Sequence, residues 1–156
     1  PIPCNAYAYG KSLIKPEKKR KQAKERIKSA CYNGGFEFPE MSFTVNLAPA
    51  NRRKEGSAFD VPMTVGILRC GKVLFDGVDL SRKCFTGELS LSGKLRGVRG
   101  VLCMCAAAKD NGFEEIYVPA ENAAEAAAVA GIRVFGVDGP QDSNQSQVDD
   151  RFPGGA

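Results

Sequence analysis

Stretches typical of strands and of helices alternate along most of this 156-residue chain, and that order constrains its fold more than any other feature. Residues 41–47 are an alternating segment rich in β-branched and aromatic residues, which predicts a strand. Residues 84–91 form the next predicted strand. Short apolar runs at 115–119 and 132–137 predict two more. The order predicts an α/β domain, with a mixed sheet, right-handed βαβ units and helices packed on the sheet.

Four helices are predicted around these strands. The first runs from Glu17 to about Tyr32, because Pro16 suits a first helical turn and Asn33-Gly34-Gly35 suits an end. Its apolar positions form a narrow stripe of Ala23, Ile27, Ala30 and Cys31. The other three are predicted at about 58–69, 101–110 and 120–130.

The start of the second helix holds two candidate caps. Ser57 and Asp60 have the spacing of a capping box. Because Pro62 must then lie in or near the first turn, Asp60 is an alternative cap. Both interpretations make Asp60 a helix-start residue and not a catalytic one.

Composition excludes several kinds of catalysis. The chain has no histidine, so neither a Ser-His-Asp nor a Cys-His mechanism is available, and no His-ligated zinc site. It has six cysteines but no CxxC motif. Cys103 and Cys105 fall in a predicted helix and so point to different faces. We expect buried free thiols in a reducing compartment, and no metal site.

One segment matches a nucleotide-binding motif only superficially. Residues 66–73 fit G-x-x-x-x-G-K, but Val73 stands where a hydroxyl should reach Mg²⁺. The match also begins inside a predicted helix and finishes at its C-terminal end, where the dipole disfavours anions. We therefore expect no nucleotide to bind there.

Positive charge is concentrated in the first part of the chain. Residues 1–60 carry 12 Lys and Arg against 6 Asp and Glu, whereas residues 61–156 carry 10 against 12. Such a surface suits an acidic partner such as nucleic acid, although the run at 18–21 also fits a solvated helix face. The candidate nucleic-acid-binding residues are Arg52, Arg53, Lys54, Arg96 and Arg99.

The ends of the chain differ from its middle. Residues 138–156 are polar and rich in Gly, Pro, Ser and Gln, which predicts a linker or a disordered tail. Residues 1–15 show no clear period, and residues 1–21 are interpreted as a lead-in that is incomplete or not native to the domain. No apolar run reaches the roughly 18 residues that a membrane span needs, and no signal peptide opens the chain. We expect a cytoplasmic protein that makes no membrane contact, and a chain that is part of a longer one.

Four blocks together resemble one family. They include the motifs N-L-A-P-A at 46–50 and K-E-G-S-A-F-D-V-P at 54–62, and they extend over residues 24–39, 43–62, 87–101 and 118–126. In this order and spacing, residues 22–137 resemble the N-terminal domain of the magnesium-chelatase-like AAA+ ATPases of the ComM/YifB group. The resemblance implies the Lon-protease-type fold, which is shared with a ribosomal small-subunit protein domain.

That fold hosts a Ser–Lys dyad in the Lon peptidases, so the two positions can be compared. The resemblance puts Ala58 at the nucleophile position and Leu102 at the base position, and neither side chain can do that chemistry. We expect no catalytic residues. A peptidase with a displaced dyad that uses Ser57 is the alternative, and it would lose peptide cleavage on Ser57→Ala.

The resemblance also implies a function. Relatives of this group assemble as rings and act on branched DNA during uptake and recombination, so we expect a non-catalytic accessory domain that contributes to assembly and DNA contact. Its partner would be the AAA+ module of the same protein, which should follow residue 140 and is absent here. ATP and Mg²⁺ are expected only for that module, and we expect no cofactor in this chain. The family name alone suggests a metal-chelatase subunit.

Overall fold

The computed structural model describes residues 17–40, 59–73 and 77–139. It confirms a mixed α/β fold with helices and a parallel sheet. The predicted strand at 41–47, the start of the lead-in and nearly all of the predicted tail lie outside the described residues. The helices are α1 (Glu17–Asn33), α2 (Asp60–Cys70), α3 (Val101–Asp110) and α4 (Ala123–Ala126), and the strands are β1 (Lys83–Phe85), β2 (Glu88–Leu89), β3 (Leu95–Arg96), β4 (Glu115–Pro119) and β5 (Arg133–Val137).

Within the described residues, the main sheet has three parallel strands in the order β1-β4-β5. Phe85, Tyr117 and Phe135 occupy one row across it, and Lys83, Glu115 and Arg133 occupy the row two residues earlier. All five residues of β4 are buried, as expected for a central parallel strand covered on both faces. Helix α3 lies between β1 and β4 in the chain, and α4 lies between β4 and β5, so both connections are βαβ units.

Two apolar clusters cover the two faces of this sheet. Strand residues alternate between faces, which sends Phe85 and Tyr117 to one side and Cys84 and Ile116 to the other. The first cluster brings in α1, α2 and the β2–β3 hairpin, through Ala30, Val61, Val65, Leu89 and Leu95. The second brings in α3 and α4, through Val101, Cys105, Ala108 and Ala126.

The predicted strand at 84–91 is wrong in one respect, because it is two strands in two different sheets. β1 ends at Phe85, and β2 starts at Glu88 and pairs antiparallel with β3. Between them Gly87 has a φ of +152°, and a Cβ there would lie 3.0–3.2 Å from Val61, Leu95 and Pro119. The close approach of those three side chains turns the chain out of the main sheet.

The last predicted helix, 120–130, is also shorter than expected. A 3₁₀ turn at Ala120–Asn122 leads into α4, which ends at Ala126. The next amides, of Ala128 and Val129, bond to carbonyls only three residues earlier, so the chain tightens out of the helix. Gly131 then takes a φ of +87° and turns the chain towards β5.

Candidate nucleic-acid interface

The loop between β3 and α3 carries two of the candidate arginines. Arg96 ends β3, opposite Glu88 of β2, and Arg99 lies one residue before Gly100, which precedes α3. Both arginines are exposed. Within the described residues, neither side chain forms an ion pair. The structure therefore presents two free guanidinium groups three residues apart, beyond the carboxyl end of the parallel sheet.

This loop is held by the turn that follows β4. The Val98 N–H donates to Oδ1 of Asn122 at 2.8 Å, and Nδ2 of Asn122 donates back to the Val98 carbonyl at 3.0 Å. The Gly97 N–H donates to Oε2 of Glu121 at 3.2 Å. Asn122 is only 8% exposed, so its two bonds are sheltered from water. The backbone between the two arginines is thus fixed at both of its residues.

Glu121 and Asn122 were not among the site residues predicted from sequence. They lie in one of the family blocks, 118–126, but nothing in their own neighbourhood indicates a partner 24 residues earlier. Gly97 is a weak sequence signal of this contact, because a larger residue there would place its Cβ 2.7 Å from Oε2 of Glu121. A glycine in a polar loop is too common a feature to identify that contact in advance.

The other three candidates, Arg52, Arg53 and Lys54, lie outside the described residues, as do Ser57 and Ala58. Of the two positions compared with the Lon dyad, only Leu102 is described. It lies in the first turn of α3, and 43% of it is exposed. Two residues on, the Met104 sulfur accepts a hydrogen bond from the Thr86 hydroxyl at 3.3 Å.

Asp60 is a helix-start residue, as predicted, although α2 begins there and not at about residue 58, and the predicted capping role of Asp60 is wrong. The N-cap residue is Phe59, and no side chain caps the helix. The Asp60 carboxylate instead accepts two bonds from Arg26, at 2.9 Å from Nε and 2.8 Å from a terminal nitrogen. It also accepts the Leu89 N–H at 3.4 Å. Arg26 offers the carboxylate two parallel bonds in which both partners are charged, whereas the donor of a cap bond is an uncharged backbone N–H, which explains why the carboxylate turns to Arg26.

The structure also shows where the superficial nucleotide motif lies. Gly66 lies within α2 and Gly71 is the residue that caps its C-terminal end, so the match occupies the dipole's negative end, as predicted. No group of three or more His, Cys, Asp or Glu side chains could hold a metal ion within the described residues.

The cysteines divide into buried and exposed thiols. Cys31, Cys84 and Cys105 are buried, whereas Cys70 and Cys103 are exposed, and none of the five forms a disulfide within the described residues. Burial raises the pKa of the Cys84 thiol to about 12 and that of the Cys31 thiol to about 11. The expectation of different faces for Cys103 and Cys105 is confirmed, but burial extends to three of the five.

Titration of Cys84 should appear as a loss of stability at alkaline pH. Its pKa is raised on folding, so its contribution is complete below its ordinary pKa of 9.0 and is lost as the pH rises towards about 12. We expect this thiol to lower the free energy of unfolding by up to about 1.4 kcal/mol per pH unit in that window. Urea unfolding of the wild type and of Cys84→Val, from about pH 8 to about pH 10.5, measures the difference in slope.

Cys103→Ser is the matched control, because it removes an exposed thiol from the same part of the fold. Its slope should follow that of the wild type. Equal slopes for the wild type and Cys84→Val would show that the Cys84 thiol does not couple folding to pH.

The predicted mixed sheet is a parallel sheet and a separate antiparallel hairpin in the described residues, because β2 and β3 pair only with each other. This parallel sheet, its two βαβ units and the clamped loop are found in a chain whose family can be established by comparison. The family model described as subunit ChlI of Mg-chelatase matches residues 13–122, and the chain belongs to this family. It is 43% identical over 115 residues to the competence protein ComM of Haemophilus influenzae. It is 40% identical over 115 residues to the uncharacterized protein YifB of Salmonella typhimurium.

Both alignments cover 74% of this chain but only 22% of the relative. The chain thus spans about a fifth of the length of these relatives. The resemblance to the magnesium-chelatase-like ComM/YifB group is confirmed, whereas the domain boundaries at 22 and 137 stay predictions. None of the described helices is long and apolar enough to span a bilayer.

Proposed function

We propose that this chain is a non-catalytic accessory domain of a magnesium-chelatase-like AAA+ protein, and that it contributes to assembly and to DNA contact. The family and the short share of the relatives' length support a domain that works within a longer protein. ATP and Mg²⁺ belong, in this proposal, to the AAA+ module of that protein. One relative is named a competence protein, which fits a role with DNA.

The observation that carries the DNA proposal is the clamped loop. Arg96 and Arg99 flank backbone that Asn122 and Glu121 hold, so little backbone conformational entropy is lost when their guanidinium groups meet an anion. Arginine side chains bind phosphate oxygens in a bidentate manner, and contacts to the phosphate backbone supply most sequence-independent affinity. No aromatic side chain lies next to either arginine in the sequence, which favours backbone contact over base stacking.

A peptidase function is not favoured by the described part of the site. At Gly87, just beyond the end of β1, a Cβ would lie against the side chains of Val61, Leu95 and Pro119, and none of these is a nucleophile or a base. A serine nucleophile needs a neighbouring base, and Leu102 cannot act as one. We therefore propose no covalent chemistry for this chain.

The DNA proposal predicts a salt-dependent loss of binding in the double variant Arg96→Ala/Arg99→Ala. Each lost phosphate contact should reduce the slope of log K against log salt by about one, so the double variant should lose about two. At low salt we expect an affinity weaker by roughly tenfold or more. Fluorescence anisotropy on forked and single-stranded DNA, over a salt series, measures both quantities.

The matched control is Arg82→Ala/Arg133→Ala, which removes the same charge at the opposite, amino end of the sheet. There Arg82 pairs with Glu114 and Arg133 with Glu115. The control should keep the wild-type slope. Equal losses in the two double variants would reduce the effect to net charge, and undetectable binding by the wild type at low salt would refute DNA contact.

A further inference from the structure

Helix α1 carries two lysines and a tyrosine along its exposed side. Lys24, Lys28 and Tyr32 follow one another at intervals of four residues, so they are neighbours along the helix surface. All three are exposed, and Tyr32 is 82% exposed, whereas Ile27 and Cys31 of the same helix are buried in the core. At a rise of 1.5 Å per residue, this side of α1 presents two cations and an aromatic ring over about 12 Å.

The charge on this helix is strongly positive and faces outward. Its sequence holds seven Lys and Arg against two Glu, and of these cations Arg26 turns inward to Asp60. Within the described residues, neither Lys24 nor Lys28 forms an ion pair. Glu25, which is exposed on the same helix, offsets only part of this charge. The exposed side of α1 therefore attracts an anionic partner.

A second exposed apolar residue lies at the Tyr32 end of the helix. Asn33 donates through Nδ2 to the Leu91 carbonyl at 2.5 Å, and a Cβ at Gly93 would lie 2.9 Å from the Ala30 carbonyl oxygen. The β2–β3 turn is thus packed against the end of α1. Leu91 is 61% exposed, and it and Tyr32 are two of the three large apolar residues exposed among the described ones. Exposed apolar residues that occur together, and not singly, indicate a contact surface.

We propose that this side of α1 binds single-stranded nucleic acid, with a base stacked on Tyr32 and phosphates on Lys24 and Lys28. Cations that follow the backbone and an exposed ring that stacks a base together bind single strands without sequence preference. In a duplex the bases are already stacked on each other, so the ring favours a single strand. This surface contains no residue of the clamped loop, and it rests on the proposed function only in taking DNA as the polyanion.

Charge favours this occupant over most other parts of the chain. Residues 1–16 carry two Lys and no acid, and residues 41–58 carry three cations against one acid, so both would meet the lysines with like charge. Residues 140–156 carry three acids against one base and are the competing occupant. A single strand supplies one phosphate and one base at every nucleotide, a density of charge and of stacking surface that this segment lacks.

Tyrosine fluorescence tests the stacking directly, because the chain has four tyrosines and no tryptophan. Binding of an oligothymidylate of about 16 nucleotides to the full-length chain should quench this fluorescence, since a base in contact with Tyr32 quenches its emission. Tyr32→Phe should keep the affinity within about twofold but lose the quench, because phenylalanine still stacks. Tyr32→Ala should weaken binding by about five- to a hundredfold, the range that one stacked base accounts for.

The charge and stacking contributions separate in matched experiments. An abasic oligonucleotide of the same length keeps the phosphates without bases, so the wild type and Tyr32→Ala should bind it equally. Lys24→Ala/Lys28→Ala should lower the slope of log K against log salt by about 1.4, whereas Tyr32→Ala should leave the slope unchanged. Leu102→Ala is the control, because it truncates the third exposed apolar residue, away from α1, and it should change neither quench nor slope.

Three results would each overturn the proposal. They are a quench that persists in Tyr32→Phe, wild-type affinity for oligothymidylate in Tyr32→Ala, and a lower urea midpoint of unfolding for Tyr32→Ala without nucleic acid. Alanine is the better helix former, so a lower midpoint would show that residues of the chain itself cover Tyr32. An unchanged salt slope in Arg96→Ala/Arg99→Ala would instead count against the proposed loop contact alone.

Discussion

Replacing Asp60 with alanine is expected to lower the free energy of unfolding by about 3–5 kcal/mol, because it leaves a partly buried guanidinium without its partner. The Asp60 side chain is completely buried and that of Arg26 is 28% exposed. The hydrogen bond to Asp60 raises the pKa of Arg26. The arginine also stays charged when the carboxylate is removed, because a guanidinium does not lose its proton at ordinary pH even without an acidic partner. The change also removes the acceptor of the Leu89 N–H, which loosens β2 as well as the contact between α1 and α2.

The matched control is Glu114→Ala, which breaks the ion pair between Glu114 and Arg82. Those side chains are 54% and 67% exposed, and such a pair contributes at most about 1 kcal/mol. Urea unfolding of both variants at one pH measures the difference. Similar losses in the two variants would mean that burial does not set the strength of the Arg26–Asp60 pair.

The second large effect is expected at Tyr117, where alanine should cost about 3–5 kcal/mol. Tyr117 is 1% exposed and lies in the middle of the ring stack, between Phe85 and Phe135. Its removal leaves a cavity in the central strand and takes away both stacking contacts. Stability of the variant can be measured by urea unfolding, with near-ultraviolet circular dichroism to report on the stack.

Tyr117→Phe separates the ring from its hydroxyl. The hydroxyl donates to Oε2 of Glu115 at 3.1 Å, and its loss should cost only about 1 kcal/mol, because Lys83 and Arg133 still bind that carboxylate. A Phe variant as unstable as the Ala variant would show that the hydroxyl, and not the stack, holds this strand.

The elements that local pattern defines well were predicted from sequence to within about a residue. Strand β4 is the clearest case, because Glu115–Pro119 is a short apolar run between the Asn111-Gly112 turn and the alanine-rich stretch after it. Helix α3 ends at Asp110 for the same local reason. The break between β1 and β2 could not be predicted, since it depends on Val61 and Pro119 approaching Gly87 from distant parts of the chain.

In the candidate site, too, the local sequence indicates some features, whereas others depend on contacts between distant residues. Exposure of Arg96 and Arg99 follows from their charge and from the glycines around them, so sequence alone could indicate both. The partner of Asp60 is 34 residues away, and the Asn122 clamp joins residues 24 apart. Local propensity favoured a cap for Asp60, and a long-range charge pair prevailed because it is the stronger interaction.

The row of ion pairs at the amino end of the sheet bears on how this domain would approach a polyanion. Glu114 and Glu115 neutralise Arg82, Lys83 and Arg133 there in part. Beyond the other end of the sheet, Arg96 lies opposite Glu88 and Glu121 holds the loop, but neither Arg96 nor Arg99 forms an ion pair within the described part of the chain. Such an asymmetric field acts on diffusional encounter, where it raises the association rate and selects the orientation of approach. In the proposed DNA contact, the clamped loop would thus be the surface that leads the approach, before any short-range bond is made.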